Sequence, residues 1–411
     1  MSGSPWNGAR QHYDVHGLVS IEIRGPNNLL RRALDRTLAA FRDEGDGGDL
    51  AMNLGAFPSD SWEPSGSTVG DRMVYDPSQG QTTVFSKEMG VGLRKSEVQY
   101  VISGQPRVGL DPVGLSVPDN GHRVGRLRQA AFETSKLDGR RALLAIAGDP
   151  LFNEERVELE AESIIQTLME PFLFYRLPSK DCSLVHGAAL SSDDSGFLIV
   201  GLASVGKTSL ALQFVKNGFL YYGDDLPIVS RTGDLLANPK PIKLRPQHIV
   251  LYPELAASLT RGMTGLERFL FTRRARKHDA AFMKRLPRLS LGDIFEGAKI
   301  GVQVPLRTVV FLKRVAGKEF FIDELDRRKL VDDVSADLFL QFPCAPWRRT
   351  MYYFCPSVAL GKDFMAEEEA HHNRVKDVLE GAFSNVKVVR MNAPMGYPST
   401  DLYQQIRSVV K

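Results

Sequence analysis

A short apolar run, Phe197-Leu-Ile-Val200, ends at Gly201-Leu-Ala-Ser-Val-Gly-Lys-Thr208, and the next stretch repeats Leu210, Leu212 and Val215 at helical spacing. Strand, glycine-bounded loop and helix in that order require a sheet with a helix packed behind it, and hence an α/β fold. A loop of this form wraps backbone N–H groups around phosphates, adds a lysine ammonium, and offers a hydroxyl to a divalent cation. The expected nucleotide-binding segment is therefore Gly201, Leu202, Ala203, Ser204, Val205, Gly206, Lys207, Thr208 and Ser209.

The following residues narrow the chemistry. Gly218 is expected to cap the helix, and Phe219–Tyr222 reads as a strand that delivers Gly223-Asp224-Asp225 to the same end of the sheet as the loop. Common nucleotide-binding loops take their acidic partner from a more distant strand, so this early pair points to a different nucleotide fold. Upstream, the apolar run Val185–Leu190 carries His186 into the sheet before a turn at Ser191–Gly196. Moving a γ-phosphoryl group to a hydroxyl needs charge neutralisation around the phosphates and a group that takes the hydroxyl proton. Lys207, Mg²⁺ and the loop amides suit the first need, and two adjacent aspartates can divide base and metal contact between them.

With these pieces in order, the chain resembles the HPr kinase/phosphorylase family, whose catalytic domain has the phosphoenolpyruvate carboxykinase-like fold. The resemblance rests on His186-Gly187, Gly201–Thr208 and Gly223-Asp224-Asp225. It extends to Asn238–Pro246, Pro287–Gly292 and Val304–Arg307, which look like segments of the tailoring kinases of lasso-peptide-type natural product pathways. In all it covers about the last three-fifths of the chain. It implies ATP and Mg²⁺ as cofactors and a serine or threonine hydroxyl of a peptide or protein as acceptor. A small-molecule hydroxyl is the nearest enzymatic alternative, and a nucleotide-regulated binding protein with little turnover is the alternative of another class. By similarity, Asp224 is the expected base, Asp225 the metal-side carboxylate, Thr208 a direct Mg²⁺ ligand, and His186 the group that orients the carboxylate. Arg288 or Arg307 is expected to contact phosphate. Ala203-Ser204 replaces the family's usual Ser-Gly, and the signature tied to phosphorylase activity has no counterpart after Asp225, so HPr itself and the reverse reaction are not expected.

The rest of the chain sets bounds. Its 411 residues, 43% hydrophobic and 25% charged, allow two cores. We expect an N-terminal α+β module over 1–150 that docks the acceptor, carries oligomerisation or is purely structural, and a catalytic domain over 151–411, with the boundary near Asp149-Pro150. In the module, Val15–Arg24 reads as one half-buried strand, Asn28–Phe41 as a helix, Asp43–Ser67 as a loop, and Val74–Tyr75, Thr82–Phe85, Val98–Ile102 and Ala142–Ile146 as strands. Glu154–Phe174 reads as a helix leading into the second domain.

Three scattered cysteines, Cys182, Cys344 and Cys355, do not make a disulfide framework, which favours a reducing cytoplasm. Met1–Tyr13 has no signal-peptide core and no run reaches bilayer length, so no membrane partner is expected. A net charge of +3 without a recognised motif argues against nucleic acid. The basic stretch Arg261–Arg288 is either a solvated face or a mobile lid. Met365–Phe383 reads as a charged helix whose adjacent His371 and His372 point different ways, and are expected to be solvated rather than metal-bound.

Overall fold

The computed structural model describes residues 9–25, 34–44, 50–53, 67–68, 73–76, 81–88, 96–103, 107–112, 165, 169–244, 248, 252, 288–317, 319–341 and 363–410. They fall into two compact units, Met1–Leu173 with Ala345–Glu369, and Phe174–Cys344 with Ala370–Lys411. The boundary expected near Asp149-Pro150, the strand expected at Ala142–Ile146, most of the helix expected over Glu154–Phe174, and the basic stretch up to Arg288 lie outside the described residues.

In the first unit, β1 (Ala9–Val15), β2 (Val19–Gly25), β3 (Arg42–Asp43) and β4 (Leu50–Asn53) form a sheet in the order β3-β1-β2-β4. An antiparallel meander joins β5 (Ser67–Thr68), β6 (Met73–Asp76), β7 (Gln81–Glu88), β8 (Ser96–Ser103) and β9 (Arg107–Pro112). The single strand expected over Val15–Arg24 is instead the second arm of a hairpin. His16 and Gly17 take left-handed φ values of 57° and 68°, and the Gly17 N–H donates to the Asp14 carboxylate at 2.8 Å, which closes the turn. Val19, Ile21 and Ile23 are buried as their alternation predicts, but Glu22 on the opposite face is buried too. It lies 3.7 Å from the Arg10 guanidinium, the cationic company a buried carboxylate requires, and 3.6 Å from His12 Nε2.

The second unit is a mixed α/β structure. Its strands are β10 (Cys182–Leu184), β11 (Gly187–Ser192), β12 (Ser195–Val200), β13 (Leu220–Asp225), β14 (Ile228–Ser230), β15 (Asp234–Leu236), β18 (Gln303–Val315), β19 (Phe321–Glu324) and β20 (Lys387–Pro394), with a small ribbon of β16 (Ile242–Lys243) and β17 (Arg288–Leu289). Among the described residues they build one nine-stranded sheet in the order β10-β14-β15-β18-β12-β11-β13, with β20 on β18 and β19 on β20. The helices are α1 (Glu170–Arg176), α2 (Lys207–Lys216), α3 (Leu291–Ile294), α4 (Arg327–Gln341), α5 (Phe364–Ala382) and α6 (Ser399–Val410). The run Thr308–Leu312 reads by itself as a short strand, but β18 spans 13 residues. Its first residues pair antiparallel with β15, and its remainder lies parallel between β12 and β20.

Period-two alternation decides which side chains meet the helices. Phe197 and Ile199 of β12, Ala188 and Leu190 of β11, and Val310 and Leu312 of β18 share one core with Leu210, Leu212 and Phe214 of α2. α6 adds Leu402, Tyr403, Ile406 and Val410, an apolar stripe at helical spacing, and Phe214 stands edge-on to Phe197, Phe219 and Tyr403. Each such side chain contributes about 1.5–3 kcal/mol when fully buried. The opposite face of the sheet is also dry, since Ala189, Leu198 and Val309 are buried.

His371 corrects the expectation of two solvated histidines. It is fully buried, with its ring against Phe174, Tyr175 and Phe339. Burial first, then the charges of Arg374 and His372, push its pKa down from 6.5 to about 3. The folded chain thus holds His371 neutral, whereas the unfolded chain protonates it below about pH 6.5. Its contribution to stability is complete above that pH and is lost as pH falls toward 3, by up to about 1.4 kcal/mol per pH unit. Urea unfolding of the intact chain at pH 7.5 and pH 5.5 should show this loss, and His371→Leu should flatten it. A slope that survives unchanged in His371→Leu would assign the pH dependence to another group.

Candidate functional site

The strand order brings the separate motifs to one edge. β11 lies between β12 and β13, with Gly187 in register with Val200 on one side and Asp225 on the other. Since the Gly201–Thr208 loop leaves β12 just after Val200, the loop, His186 and the Asp224-Asp225 pair all converge at this end of the sheet. Gly187 suits the junction because a Cβ there would lie 2.8 Å from the Ile199 carbonyl oxygen.

A bulge just before the two aspartates sets the face each one takes. Pairing shifts between Leu190, opposite Tyr221, and Ala189, opposite Gly223, so Tyr222 is the extra residue. Residues directly opposite across a ladder share a face. Asp224 pairs with Ala188, a core residue on the α2 face, while Asp225 pairs with Gly187 one step on. Without the inserted residue Asp224 would point away from α2, so the bulge re-aims it toward the loop.

On that face the Thr208 hydroxyl hydrogen-bonds the Asp224 carboxylate. Burial pushes the Asp224 pKa up to about 6; the Thr208 hydrogen bond opposes this, Asp225 adds to it, and Lys207 and His186 oppose it. Asp225 is different. Its backbone has a positive φ of 89° and its side chain is 56% exposed. One carboxylate oxygen lies 3.6 Å from His186 Nε2, and the other lies 3.7 Å from Lys240 Nζ.

The loop itself is held from inside and outside. Gly201 has φ 143°, and a Cβ there would sit 2.2 Å from the Leu312 carbonyl oxygen, so the chain passes β18 where only glycine fits. Ser204, in the Ala203-Ser204 replacement, takes a left-handed φ of 67°, a conformation that costs a non-glycine residue roughly 1 kcal/mol. The Lys207 ammonium is buried and donates to the carbonyls of Gly201 at 2.6 Å and Leu202 at 3.1 Å. Ser209, within the expected binding segment, turns inward: it is buried, and its hydroxyl meets His248 Nε2 at 3.0 Å. Tyr252 donates to the Ser209 carbonyl at 2.8 Å, so the chain after the proline-rich segment is pinned to α2.

Arg314, Lys240 and Asp337 did not stand out from the sequence. Arg314 donates through Nε to the Val205 carbonyl at 3.0 Å and through Nη1 to the carbonyls of Pro394 and Tyr397 at 3.0 and 3.2 Å. It thereby ties the loop to the turn between β20 and α6. Its only sequence signal was a cation at the end of a strand neighbouring the loop strand. Arg307 occupies the other end of β18: Thr308 pairs with Phe197, whereas Phe311 pairs with Val200, next to the loop. The strand's rise of about 3.3 Å per residue places Arg307 away from the loop end of β18. Arg288 pairs through its backbone with Lys243. Asp337 of α4 accepts from His186 Nδ1 at 2.5 Å across 151 positions of sequence.

The residues present fit a Mg²⁺-bound nucleotide. No cluster of three or more His, Cys, Asp or Glu side chains that could cage a metal occurs among the described residues. Mg²⁺ needs no such cage, because it binds through one or two protein oxygens, water and the nucleotide's own phosphates. The paired Thr208 hydroxyl and Asp224 carboxylate are a donor set of that kind.

No protein-family model matches the chain, and no curated protein matches it. Among solved structures the chain is similar to the Hpr(Ser) kinase/phosphatase from Coxiella burnetii, at 11% identity over 56% of this chain and 88% of that one, with a TM-score of 0.23. A likeness of that size carries no argument about activity, and the functional reading rests on the geometry of the site.

Proposed function

We propose that this chain is an ATP- and Mg²⁺-dependent kinase that transfers a γ-phosphoryl group to a hydroxyl, with serine or threonine of a peptide or protein as the acceptor class. The observation that carries the proposal is the convergence of the Gly201–Thr208 loop, the Thr208–Asp224 hydrogen bond and the exposed, histidine-backed Asp225 at one end of the sheet. A module that only binds nucleotide needs the loop and its lysine. It does not need a second carboxylate turned outward beside a buried histidine.

Bound Mg²⁺ would supply charge neutralisation at the phosphates. Lys207, already fixed on the loop carbonyls, adds a second positive charge there, and the left-handed Ser204 and Gly206 open the loop's N–H groups toward an anion. Thr208 and Asp224 would hold the metal side.

The roles expected from the sequence, Asp224 as base and Asp225 on the metal, have one support, the Asp224 pKa of about 6 near working pH. The reverse division has the geometry. Asp224 faces Thr208, and Asp225 is the carboxylate that an incoming hydroxyl can reach. Reach precedes pKa in choosing a base, so Asp225 is our candidate to accept the proton, with His186 behind it.

Incubation of the purified chain with labelled ATP and an extract of host-cell peptides and metabolites, followed by mass spectrometry of labelled products, tests the proposal. Labelled peptide supports it, labelled metabolite moves it to the small-molecule class, and absence of any product despite Mg·ATP binding favours the regulated binding protein.

Two predictions address the parts. Lys207→Ala should abolish tight Mg·ATP binding in calorimetry, and Arg314→Ala should weaken it while leaving the fold intact by circular dichroism. Unchanged affinity in Lys207→Ala would remove the phosphate-loop assignment. Asp225→Asn should retain Mg·ATP binding and lose transfer by on the order of a hundredfold or more, as expected for a missing general base. Asp224→Asn should instead weaken the Mg²⁺ dependence of binding, and the opposite pattern would restore the division expected from the sequence.

A further inference from the structure

We infer that Asp337 is a positioning residue, which fixes the tautomer of His186 and so aims His186 Nε2 at Asp225. Its catalytic meaning rests on the kinase reading above.

The geometry determines where the hydrogen sits. His186 and Asp337 are both buried, and His186 Nδ1 lies 2.5 Å from Asp337 Oδ2. An ionised carboxylate only accepts, and neutral imidazole donates through one nitrogen. Nδ1 therefore carries the hydrogen and Nε2 becomes the nitrogen whose role is open. That nitrogen faces Asp225 Oδ1 at 3.6 Å, beyond direct hydrogen bonding in this state. Only Asp225 of the three can shift at little cost, because its side chain is 56% exposed. The sequence from interior to surface is a fixed carboxylate, a fixed ring, and an adaptable carboxylate.

The surroundings hold the inner pair still. Asp337 sits on α4 between the buried Val334 and Leu338, and His186 directly precedes Gly187, whose strand is locked between two others. A carboxylate behind a histidine sets the ring's tautomer and angle in this way wherever one nitrogen must be left for chemistry. Lys240 closes the far side of Asp225, so that carboxylate is bracketed by His186 on one oxygen and an ammonium on the other.

Nitrogen-15 NMR of the histidine side chains in the full chain tests the assignment. The chain has 8 histidines, and the His186 signals are identified by their loss in His186→Gln. The wild-type chain should show hydrogen on His186 Nδ1. In Asp337→Ala this preference should be lost, and in Asp337→Glu it should return, while calorimetric Mg·ATP affinity stays unchanged in both. ATP turnover should fall in kcat by roughly ten- to a hundredfold in Asp337→Ala, with KM for ATP unaltered. Hydrogen on Nε2 alone in the wild type, or unaltered His186 signals in folded Asp337→Ala, would overturn the inference. If Asp337→Ala does not fold, the wild-type spectrum still decides. Failure of the wild type to bind Mg·ATP would remove the kinase reading and leave the tautomer result standing.

Discussion

The placement of Gly187 between Val200 and Asp225 is the constraint on which the candidate site depends. Backbone hydrogen bonds to both neighbouring strands fix β11, and the pleat leaves little freedom, because a one-residue slip would turn every side chain to the other face. The packing of Ala188 and Leu190 against α2 makes such a slip costly, since it would turn them away from the core they share with Leu210 and Phe214. The position of the loop relative to the two aspartates is thus set by the core and requires no contact between the motifs. The bulge at Tyr222 is the one departure from regular pairing in this ladder; it sets which face Asp224 takes, and the strand's alternation then sends Asp225 the other way.

Positive charge in the site is spent on backbone carbonyls before any ligand arrives. Lys207 and Arg314 each donate to carbonyls of the loop itself, from the ammonium inside it and the guanidinium beside it. These contacts offset the unfavourable φ of Ser204 and hold the loop N–H groups in an open arrangement. A loop already held in one arrangement has less conformational entropy to lose in any association.

The buried polar groups show what a low-dielectric interior demands. Glu22, His186 and Asp337 are charged or chargeable, and each is close to a partner of suitable kind. His371 meets the same demand through its charge state: packed among aromatic rings, it gives up its proton. Both outcomes follow from the same desolvation penalty. The first requires specific geometry and belongs to the site, whereas the second requires only apolar neighbours and belongs to the core.

Much of the second unit could be read along the chain because its signals are local. Short apolar runs mark β11 and β12, glycines and a lysine mark the loop, and helical spacing marks α2, so short-range sterics and burial were enough to determine these elements. Where local pattern failed, a distant element or a single dihedral had intervened. His16 and Gly17 turned an apparent strand into a hairpin; three partner strands extended β18; and aromatic residues from α1 and α4 buried His371. The sequence by itself determined that a glycine-bounded loop carrying Lys207 precedes an acidic pair in an α/β frame. Tertiary structure alone decided which aspartate faces Thr208, that Arg314 rather than Arg307 reaches the loop, and that Asp337 stands behind His186. These are relations between residues far apart in the chain, set by strand order, a bulge and helix packing, and no local pattern encodes such distances.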